Sequence, residues 1–199
     1  MVRLVVGLGN PGGRYAGTRH NVGFMALEAL RADLGLPELR DKFSGAFARG
    51  EALGASLALL EPMTFMNDSG ASVQPAMAFL KVAIADLLVL HDEIDLPFGE
   101  VRIKAGGGHA GHNGLRSIVE RVGSADFVRV RIGVGRPPPT FAGDVAAYVL
   151  SGFDAAERAE LPGVLSRAVQ AAEEVLRAGP EAAMNRFNAR GTGAAATAK

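Results

Sequence analysis

Residues 1–24 combine a buried strand, a glycine-rich break and the start of a helix, and this order constrains the fold more than any other stretch. Residues 3–8 (RLVVGL) are a short apolar run rich in β-branched side chains, which predicts a strand. Glycine and proline at positions 9–13 then interrupt regular structure. From position 22 apolar residues recur with helical spacing, and Asn21 is the expected N-cap. The pattern predicts an open α/β fold, whose site lies beyond the carboxyl ends of its strands.

Asn10 follows this first strand and His20 precedes the first helix, so an amide and an imidazole are expected at one edge of the sheet. The partial positive charge of a helix start disfavours a protonated imidazole. We therefore expect His20 to be neutral at physiological pH and to titrate near or below the free histidine value of about 6.5. That is the form a general base needs. Taken alone, a histidine in this place is more often a surface or capping residue.

Strand and helix patterns alternate through the rest of the chain. Strands are expected at 45–53, 56–61, 87–90, 100–105 and 127–134, the first two forming an antiparallel hairpin. Helices are expected around 71–80, 115–122, 142–150, 155–178 and 180–188. Asp154 and Glu157 form a capping box, and Pro162 is expected to break the long helix near its start. The order predicts a single three-layer α/β/α domain with a twisted mixed β-sheet over residues 1–190, and a disordered tail at 191–199.

Composition excludes several classes of protein. The 199 residues are 48% hydrophobic with a formal net charge of zero, which is typical of a globular domain and not of a disordered or polybasic chain. The absence of cysteine excludes disulfides, thiolate zinc sites and cysteine nucleophiles. The sequence contains neither a membrane-spanning apolar run nor a signal-peptide pattern, so a cytoplasmic protein without membrane contact is expected.

Polar residues with complementary chemistry stand at the expected strand ends, namely Asn10, His20, Asn67, Asp92 and Asn113. One imidazole, one carboxylate and three amides suit hydrolysis of an ester by water. The histidine would accept a proton from water while the aspartate fixes its tautomer, and amide nitrogens would donate to the oxyanion. No serine lies in a G-x-S-x-G context and no P-loop pattern is present. Asn67 and Asn113 are equally well explained as helix caps or turn residues.

Two other sites remain open from the residues alone. His109 and His112 could be loop residues, or they could bind a metal with Asp92, although a glycine-rich loop is a less rigid support for ligands than a helix. Gly7, Gly9 and Gly12 match the dinucleotide-binding pattern G-x-G-x-x-G. That match is weak, because no helix follows the glycines directly and the acidic residue about twenty positions on falls within a helical pattern.

Two neighbouring strands carry basic residues on one face. Arg102 and Lys104 alternate on the first, and Arg129 and Arg131 on the second. Each pair could be an ordinary solvated face. Together they favour a clamp for phosphate groups on an otherwise neutral chain.

Six segments, in this order, closely resemble bacterial peptidyl-tRNA hydrolase: residues 7–12 (GLGNPG), 18–21 (TRHN), 64–70 (TFMNDSG), 91–99 (HDEIDLPFG), 106–115 (GGGHAGHNGL) and 127–136. The resemblance extends over the chain up to its alanine-rich tail. It implies an α/β hydrolase that cleaves the ester between a peptide and the ribose of tRNA. It further implies a monomer without a cofactor or metal, with peptidyl-tRNA as partner. Saturable binding of NAD would instead favour an oxidoreductase. Binding of tRNA without turnover would favour a non-catalytic RNA-binding module.

The resemblance also implies roles for individual residues. His20 matches the catalytic histidine, Asp92 its supporting aspartate, and Asn10, Asn67 and Asn113 the amides that position substrate. Other matched residues are Tyr15 beside the pocket, Phe65 and Met66 in the adjoining loop, and Lys104 and Arg131 as the clamp on the tRNA 5′-phosphate, the last with one position of uncertainty. The segment after Arg136, including 142–150, matches a mobile lid.

Overall fold

A computed structural model describes residues 2–189, and the disorder expected at 191–199 lies outside them. Seven strands form one sheet in the order β2-β3-β4-β1-β5-β7-β6. Their bounds are β1 Val2–Gly7, β2 Arg40–Lys42, β3 Gly45–Ala52, β4 Ala55–Pro62, β5 Leu87–Glu93, β6 Val101–Ala105 and β7 Val128–Gly133. Strands β4, β1, β5 and β7 are parallel to one another, whereas β2, β3 and β6 join by antiparallel pairing. The mixed sheet and the hairpin expected from the sequence are confirmed.

Within residues 2–189 there are five α-helices, and all but the short fourth one cover the two faces of this sheet. They are α1 Val22–Asp33, α2 Gly70–Leu80, α3 Asn113–Val122, α4 Val145–Val149 and α5 Ala155–Phe187. Buried residues of α1 and α5 pack with alternate strand residues such as Val5 and Leu59, while α2 and α3 pack on the other face against Leu4 and Leu60. Successive side chains of a strand point to opposite faces of the sheet, so helices on both faces bury both sides of each parallel strand. The single three-layer α/β domain is therefore confirmed.

The fifth helix is interrupted at a different place from the one expected. Its capping box is present, with Asp154 and Glu157 bonding reciprocally. Pro162 lies inside a continuous helix, so the expected break there was wrong. Proline frees the carbonyl four residues earlier, and Pro162 and Arg158 are both exposed, so water can reach that carbonyl. The irregular residue is Gly179, with φ 85° and ψ 169°, after which the helix resumes.

Helix α1 lies against the centre of the sheet because glycine stands at its second residue. A Cβ atom on Gly23 would overlap the carbonyl oxygens of Leu8 and Leu90, which follow or belong to β1 and β5. The backbone of α1 therefore approaches these strands as closely as a helix can. The central strand β1 lies between two parallel strands, β4 and β5. After β1 the chain continues to one side of it through β2, β3 and β4, and it then crosses to the other side to form β5. Open α/β sheets place their ligand sites at such a point.

Candidate active site

A trio of side chains with little exposure to solvent, His20, Asp92 and His112, lies at the carboxyl end of β5. Asp92 exposes only 3% of its surface and belongs to the strand itself, which extends three residues beyond the predicted end. Its Oδ1 oxygen is 2.9 Å from Nδ1 of His20 and 2.9 Å from Nε2 of His112. One carboxylate oxygen thus orients two imidazole rings, whose centroids are 5.2 Å apart.

The hydrogen bonds of His112 fix where its proton lies. His112 is the N-cap of α3, and its Nδ1 accepts from the backbone N–H groups of Gly114 and Leu115 at 3.2 and 3.4 Å. An Nδ1 that accepts cannot carry a proton, so the proton is on Nε2 and is donated to Asp92. The sequence suggested this histidine only as a loop residue or metal ligand. The cap was missed because the helical pattern starts at residue 115, whereas α3 begins two residues earlier, at Asn113.

The same carboxylate sets the tautomer of His20. With Nδ1–H donated to Asp92, the other ring nitrogen, Nε2, carries the lone pair that a general base uses. His20 stands in a turn of 3₁₀-helix, Arg19–Asn21, immediately before α1. Sequence reasoning placed this histidine correctly at the helix start.

The pKa of His20 is higher than the sequence predicted. Burial lowers the pKa of His20, but attraction to the Asp92 carboxylate and the hydrogen bond between them outweigh it, so the pKa is raised above 6.5. The expected value near or below 6.5 was therefore wrong, because the carboxylate acts more strongly than the helix start. The imidazoles in turn hold the pKa of Asp92 far below its usual range against the opposing effect of burial, so this carboxyl stays ionised.

His91, the neighbour of Asp92 on β5, is a structural histidine. It exposes 1% of its surface, and its Nδ1 lies 2.7 Å from the backbone oxygen of Asp92. Burial and the nearby His112 lower the pKa of His91 to about 3, so it is neutral. The sequence assigned no role to this residue, and the structure gives it a packing role beneath the trio.

Asn10 is held by three hydrogen bonds that leave one amide donor available. Its backbone N–H and C=O bond the side chain of Asn21, both at 2.9 Å. Its Oδ1 accepts from the backbone N–H of Met66 at 2.8 Å. Asn21 stands at the N-cap position of α1 as expected, but its side chain is used on Asn10 and makes no cap bond to the helix. The Nδ2 of Asn10 has no acceptor within residues 2–189 and can donate to a ligand.

The two remaining amides do not cap helices. Asn113 is the first residue of α3, whose cap is His112, and Asn67 lies in a 3₁₀ turn, Met66–Asp68, ahead of α2. Both side chains are exposed, and neither makes a hydrogen bond to the part of the chain that the structure describes. Asn113 lines the same cavity as Asn10 and His20, whereas Asn67 does not.

The three residues suggested for the pocket wall differ in exposure. Phe65 is exposed by 58%, while the side chain of Met66 is buried at 4% and packs in the core on the α2–α3 face. Met66 therefore acts on the site through its backbone, which holds Asn10. Tyr15 is half-buried in the turn after Asn10, with the guanidinium of Arg14 4.5 Å above its ring. Neither Tyr15 nor Phe65 lines the cavity described next.

A cavity of about 430 Å³ opens above the trio. His20, Asp92, Asn10 and Asn113 lie on its polar side, and it is closed by the glycine-rich loop and by α4. Helix α4 spans only part of the expected 142–150, and Val145, Val149 and Leu150 present its apolar side to the cavity. A pocket of this size with few polar groups fits a small segment of a substrate.

Arg19, next to His20, ties this helical cover to the site. Its Nη1 donates to Ser151 Oγ and to the carbonyl of Gly152, both at 2.6 Å, and its Nη2 forms an ion pair with Glu157 at 2.6 Å. The guanidinium also lies 4.3 Å from the ring of Tyr148 on α4. Sequence reasoning did not identify this residue, because its hydrogen-bond and ion-pair partners lie more than 130 positions away.

The four basic residues share one face as expected, and all of them except Lys104 have a hydrogen-bond partner within residues 2–189. Strand pairing places Lys104 opposite Arg129 and Arg102 opposite Arg131. Arg129 is 2% exposed and donates to the carbonyls of Gly106, Gly107 and Gly108, so it holds the glycine loop. Arg131 bonds Glu93 at 3.0 Å. Lys104 is exposed and forms no ion pair with any described residue.

The geometry disfavours the metal site and the dinucleotide site that the sequence left open. The ligand atoms of His20, Asp92 and His112 lie within 4.8 Å of one another. A metal bound by His112 would need the lone pair of Nε2, so the proton would have to move to Nδ1. There the proton would face the two backbone N–H groups that Nδ1 now accepts from. The helix cap therefore disfavours metal coordination. His109 instead accepts from Gly111 at 3.1 Å. The glycine pattern is followed by turns up to residue 18, and Asp33 ends α1, so neither element of a dinucleotide site is formed.

Comparison with known proteins gives consistent results. The family model described as peptidyl-tRNA hydrolase matches residues 4–195. A peptidyl-tRNA hydrolase of Sorangium cellulosum is 64% identical over 187 residues, 94% of this chain and 84% of that protein. One from Mycobacterium tuberculosis is 50% identical over 94% and 97% of the two chains. The crystal structure of peptidyl-tRNA hydrolase from Acinetobacter baumannii superposes with a TM-score of 0.87 at 41% identity, covering 94% of this chain and 95% of that one.

Proposed function

This chain belongs to the peptidyl-tRNA hydrolase family, and we propose that His20, supported by Asp92, is the base that activates water in its reaction. The chain is an ester hydrolase that acts on peptidyl-tRNA. The alternatives of an oxidoreductase and of a non-catalytic binding module are set aside on that ground. Within the described residues, none of the helices combines the length and hydrophobicity needed to cross a membrane.

One observation carries the assignment of the base. The 2.9 Å contact between His20 Nδ1 and Asp92 Oδ1 leaves Nε2 of His20 as the acceptor at a cavity that Asn10 and Asn113 also line. His20 Nε2 takes a proton from water as the water oxygen bonds to the ester carbonyl carbon. Asp92 stabilises the imidazolium that forms. The bond from carbon to the ribose oxygen then breaks, and His20 returns the proton to that oxygen.

The amides fit the charge that develops on the carbonyl oxygen. Asn10 Nδ2 and the exposed amide of Asn113 border the cavity and can donate to the oxyanion, where loss of one donor typically costs roughly a hundred- to thousandfold. Amides keep their protons at every pH. We assign Asn67, Tyr15, Phe65 and Met66 to the positioning of the peptide and the tRNA end, with Met66 acting through its hold on Asn10.

The tRNA is assigned to the basic face of β6 and β7. Lys104 and Arg131 are the proposed contacts to phosphate. Arg129 is buried and bonded to three carbonyls of the glycine loop, whereas Arg131 is partly exposed and uses only its Nε on Glu93. Contacts to phosphate are independent of sequence, which suits an enzyme that must accept many tRNAs. We further propose a cytoplasmic monomer without a cofactor, since peptidyl-tRNA arises in translation and one chain supplies every group named.

The first test compares an N-acetyl-aminoacyl-tRNA with the same unblocked aminoacyl-tRNA, with and without EDTA. We expect cleavage of the blocked substrate only, unaffected by EDTA. Binding of tRNA without any cleavage would contradict the proposed base. Activity lost with EDTA and restored by a divalent metal would move the assignment to a metal held by His20, Asp92 and His112.

A further inference from the structure

Glu61 is a buried acid for which the proposed mechanism has no use. It stands near the end of β4 and exposes 9% of its surface. Leu57 and Leu59 share its side of the strand and pack in the core on the α1 face, so Glu61 also points toward α1. Its carboxylate has no hydrogen-bond partner within residues 2–189. A buried carboxylate without a donor is costly, and such groups call for an explanation.

Arg31 acts on this carboxylate but does not pair with it. Arg31 of α1 bonds both carboxylate oxygens of Glu28, at 2.8 and 2.6 Å, and also donates to the carbonyl of Leu36. Burial and the charge of Glu28 raise the pKa of Glu61 to about 7, against the opposing effect of Arg31. The Glu61 carboxyl is therefore only partly ionised near neutral pH, and a cation bound beside it would favour its charged form.

A second cavity, of about 370 Å³, opens over this acid. Phe24, Met25 and Met63 give it apolar walls, and its acidic lining residues are Glu61 and Glu28, of which Glu28 is bonded to Arg31. Asn10 lines both this cavity and the one above His20. A substrate whose ester lies beside His20 and whose peptide passes Asn10 can therefore place a side chain in the second cavity.

We propose that the Glu61 cavity is a subsite for a basic side chain of the peptide, lysine or arginine, next to the ester under attack. The methylene stem packs against Met25 and Met63, and the cationic group donates to the Glu61 carboxylate. Long basic side chains bury their stems on apolar surface in this way. The inference rests on the proposed function, because it specifies which peptides the hydrolase prefers.

The experiment uses two substrates that differ only in charge. Nα-acetyl-lysyl-tRNA keeps its ε-ammonium, and Nα,Nε-diacetyl-lysyl-tRNA on the same tRNA does not. We expect the unchanged enzyme to favour the charged substrate by about tenfold in kcat/KM, the order of one charge-assisted hydrogen bond. Glu61→Gln should bring the ratio close to one. Glu160→Gln, which removes an exposed acid on α5, is the matched control and should keep the preference.

The outcomes separate this inference from the proposed function. Equal cleavage of both substrates by the unchanged enzyme overturns the subsite and leaves the hydrolase mechanism standing. Failure to cleave either one contradicts the proposed function itself. A preference that survives in Glu61→Gln also overturns the subsite. If that variant does not fold, inhibition of the unchanged enzyme by Nα-acetyl-lysine amide replaces it: the amide must inhibit more strongly than its Nε-acetylated form, and equal inhibition overturns the proposal.

Discussion

His112 and Asp92 are joined by a 2.9 Å contact between Nε2 and Oδ1, although twenty positions separate them in the chain. The same histidine caps α3 through Nδ1. The start of α3 is therefore fixed to the carboxylate that orients His20, and Asn113, the next residue, is placed at the cavity by the same ring.

The two contacts of His112 can be separated by substitution. Asparagine is a good N-cap but is too short to replace the imidazole on Asp92. We expect His112→Asn to keep nearly the stability of the unchanged protein while turnover falls and its pH profile shifts. His112→Ala should in addition lose about 1 kcal/mol of unfolding free energy with the cap. Denaturant unfolding and kcat/KM against pH measure the two effects, and full activity in His112→Asn would show that its bond to Asp92 is dispensable.

The rate should rise with pH through an apparent pKa above 6.5. Only the neutral form of His20 accepts a proton, and Asp92 raises its pKa by stabilising the charged form, so activity is low below this value and reaches a plateau above it. Asp92→Asn should move the midpoint to lower pH and reduce the plateau by roughly 10²–10⁴-fold. Measurement of kcat/KM from about pH 5 to 9 checks both, and a midpoint at or below 6.5 in the unchanged enzyme would count against the His20–Asp92 pair.

His20→Ala removes the base without removing a contact to the tRNA phosphates. We expect turnover to fall by at least roughly 10²–10⁴-fold while tRNA affinity changes little. Single-turnover hydrolysis and a tRNA binding titration on the same folded sample make the comparison. Comparable turnover in that sample would disprove the assignment.

Asn67→Asp and Asn113→Asp test the amides. Since neither side chain bonds the described protein, replacing each by a near-isosteric carboxylate should leave the thermal midpoint nearly unchanged. The amide donor is lost and a negative charge is added, so kcat/KM should fall, by roughly a hundred- to thousandfold where the amide meets the oxyanion. Asn113 should show the larger loss, because it alone of the two lines the cavity. Full activity in both variants would remove Asn67 and Asn113 from the mechanism.

Lys104 and Arg129 should give opposite results. Lys104→Ala is expected to weaken tRNA binding and to reduce the slope of log affinity against log salt by about one, with no loss of stability. Arg129→Ala should destabilise the protein by roughly 2 kcal/mol or more, because three loop carbonyls lose a charged donor. Arg177→Ala, an exposed residue on α5, is the control for lost charge. An unchanged salt slope in Lys104→Ala would exclude it from the interface.

Local patterns predicted much of the fold and of the site. Strand and helix periods located nearly every element, and Asn10, His20, Asp92 and Asn113 were found because they follow strands or precede helices. Their meeting in one cavity follows from the rule that parallel strands end at one edge. The strand order was not predicted, since it depends on pairings that no local pattern records.

The remaining features depend on contacts between distant segments. Alternation places Arg129 and Arg131 on one face, but it cannot tell that the carbonyls of the glycine loop occupy Arg129. The pKa of His20 was misjudged for the same reason, because the helix start was visible in the sequence and the 2.9 Å contact to Asp92 was not. Arg19 escaped notice because its partners belong to the end of the chain.

Gly23 carries no chemistry, yet the position of the base depends on it. Because its missing Cβ lets α1 rest on the carbonyls of Leu8 and Leu90, any side chain there would lift the helix that follows His20. In a saturation mutagenesis screen, substitutions at codon 23 should therefore reduce activity as severely as substitutions at codon 20. A genetic screen for active variants of this enzyme should therefore recover almost no substitution at that codon.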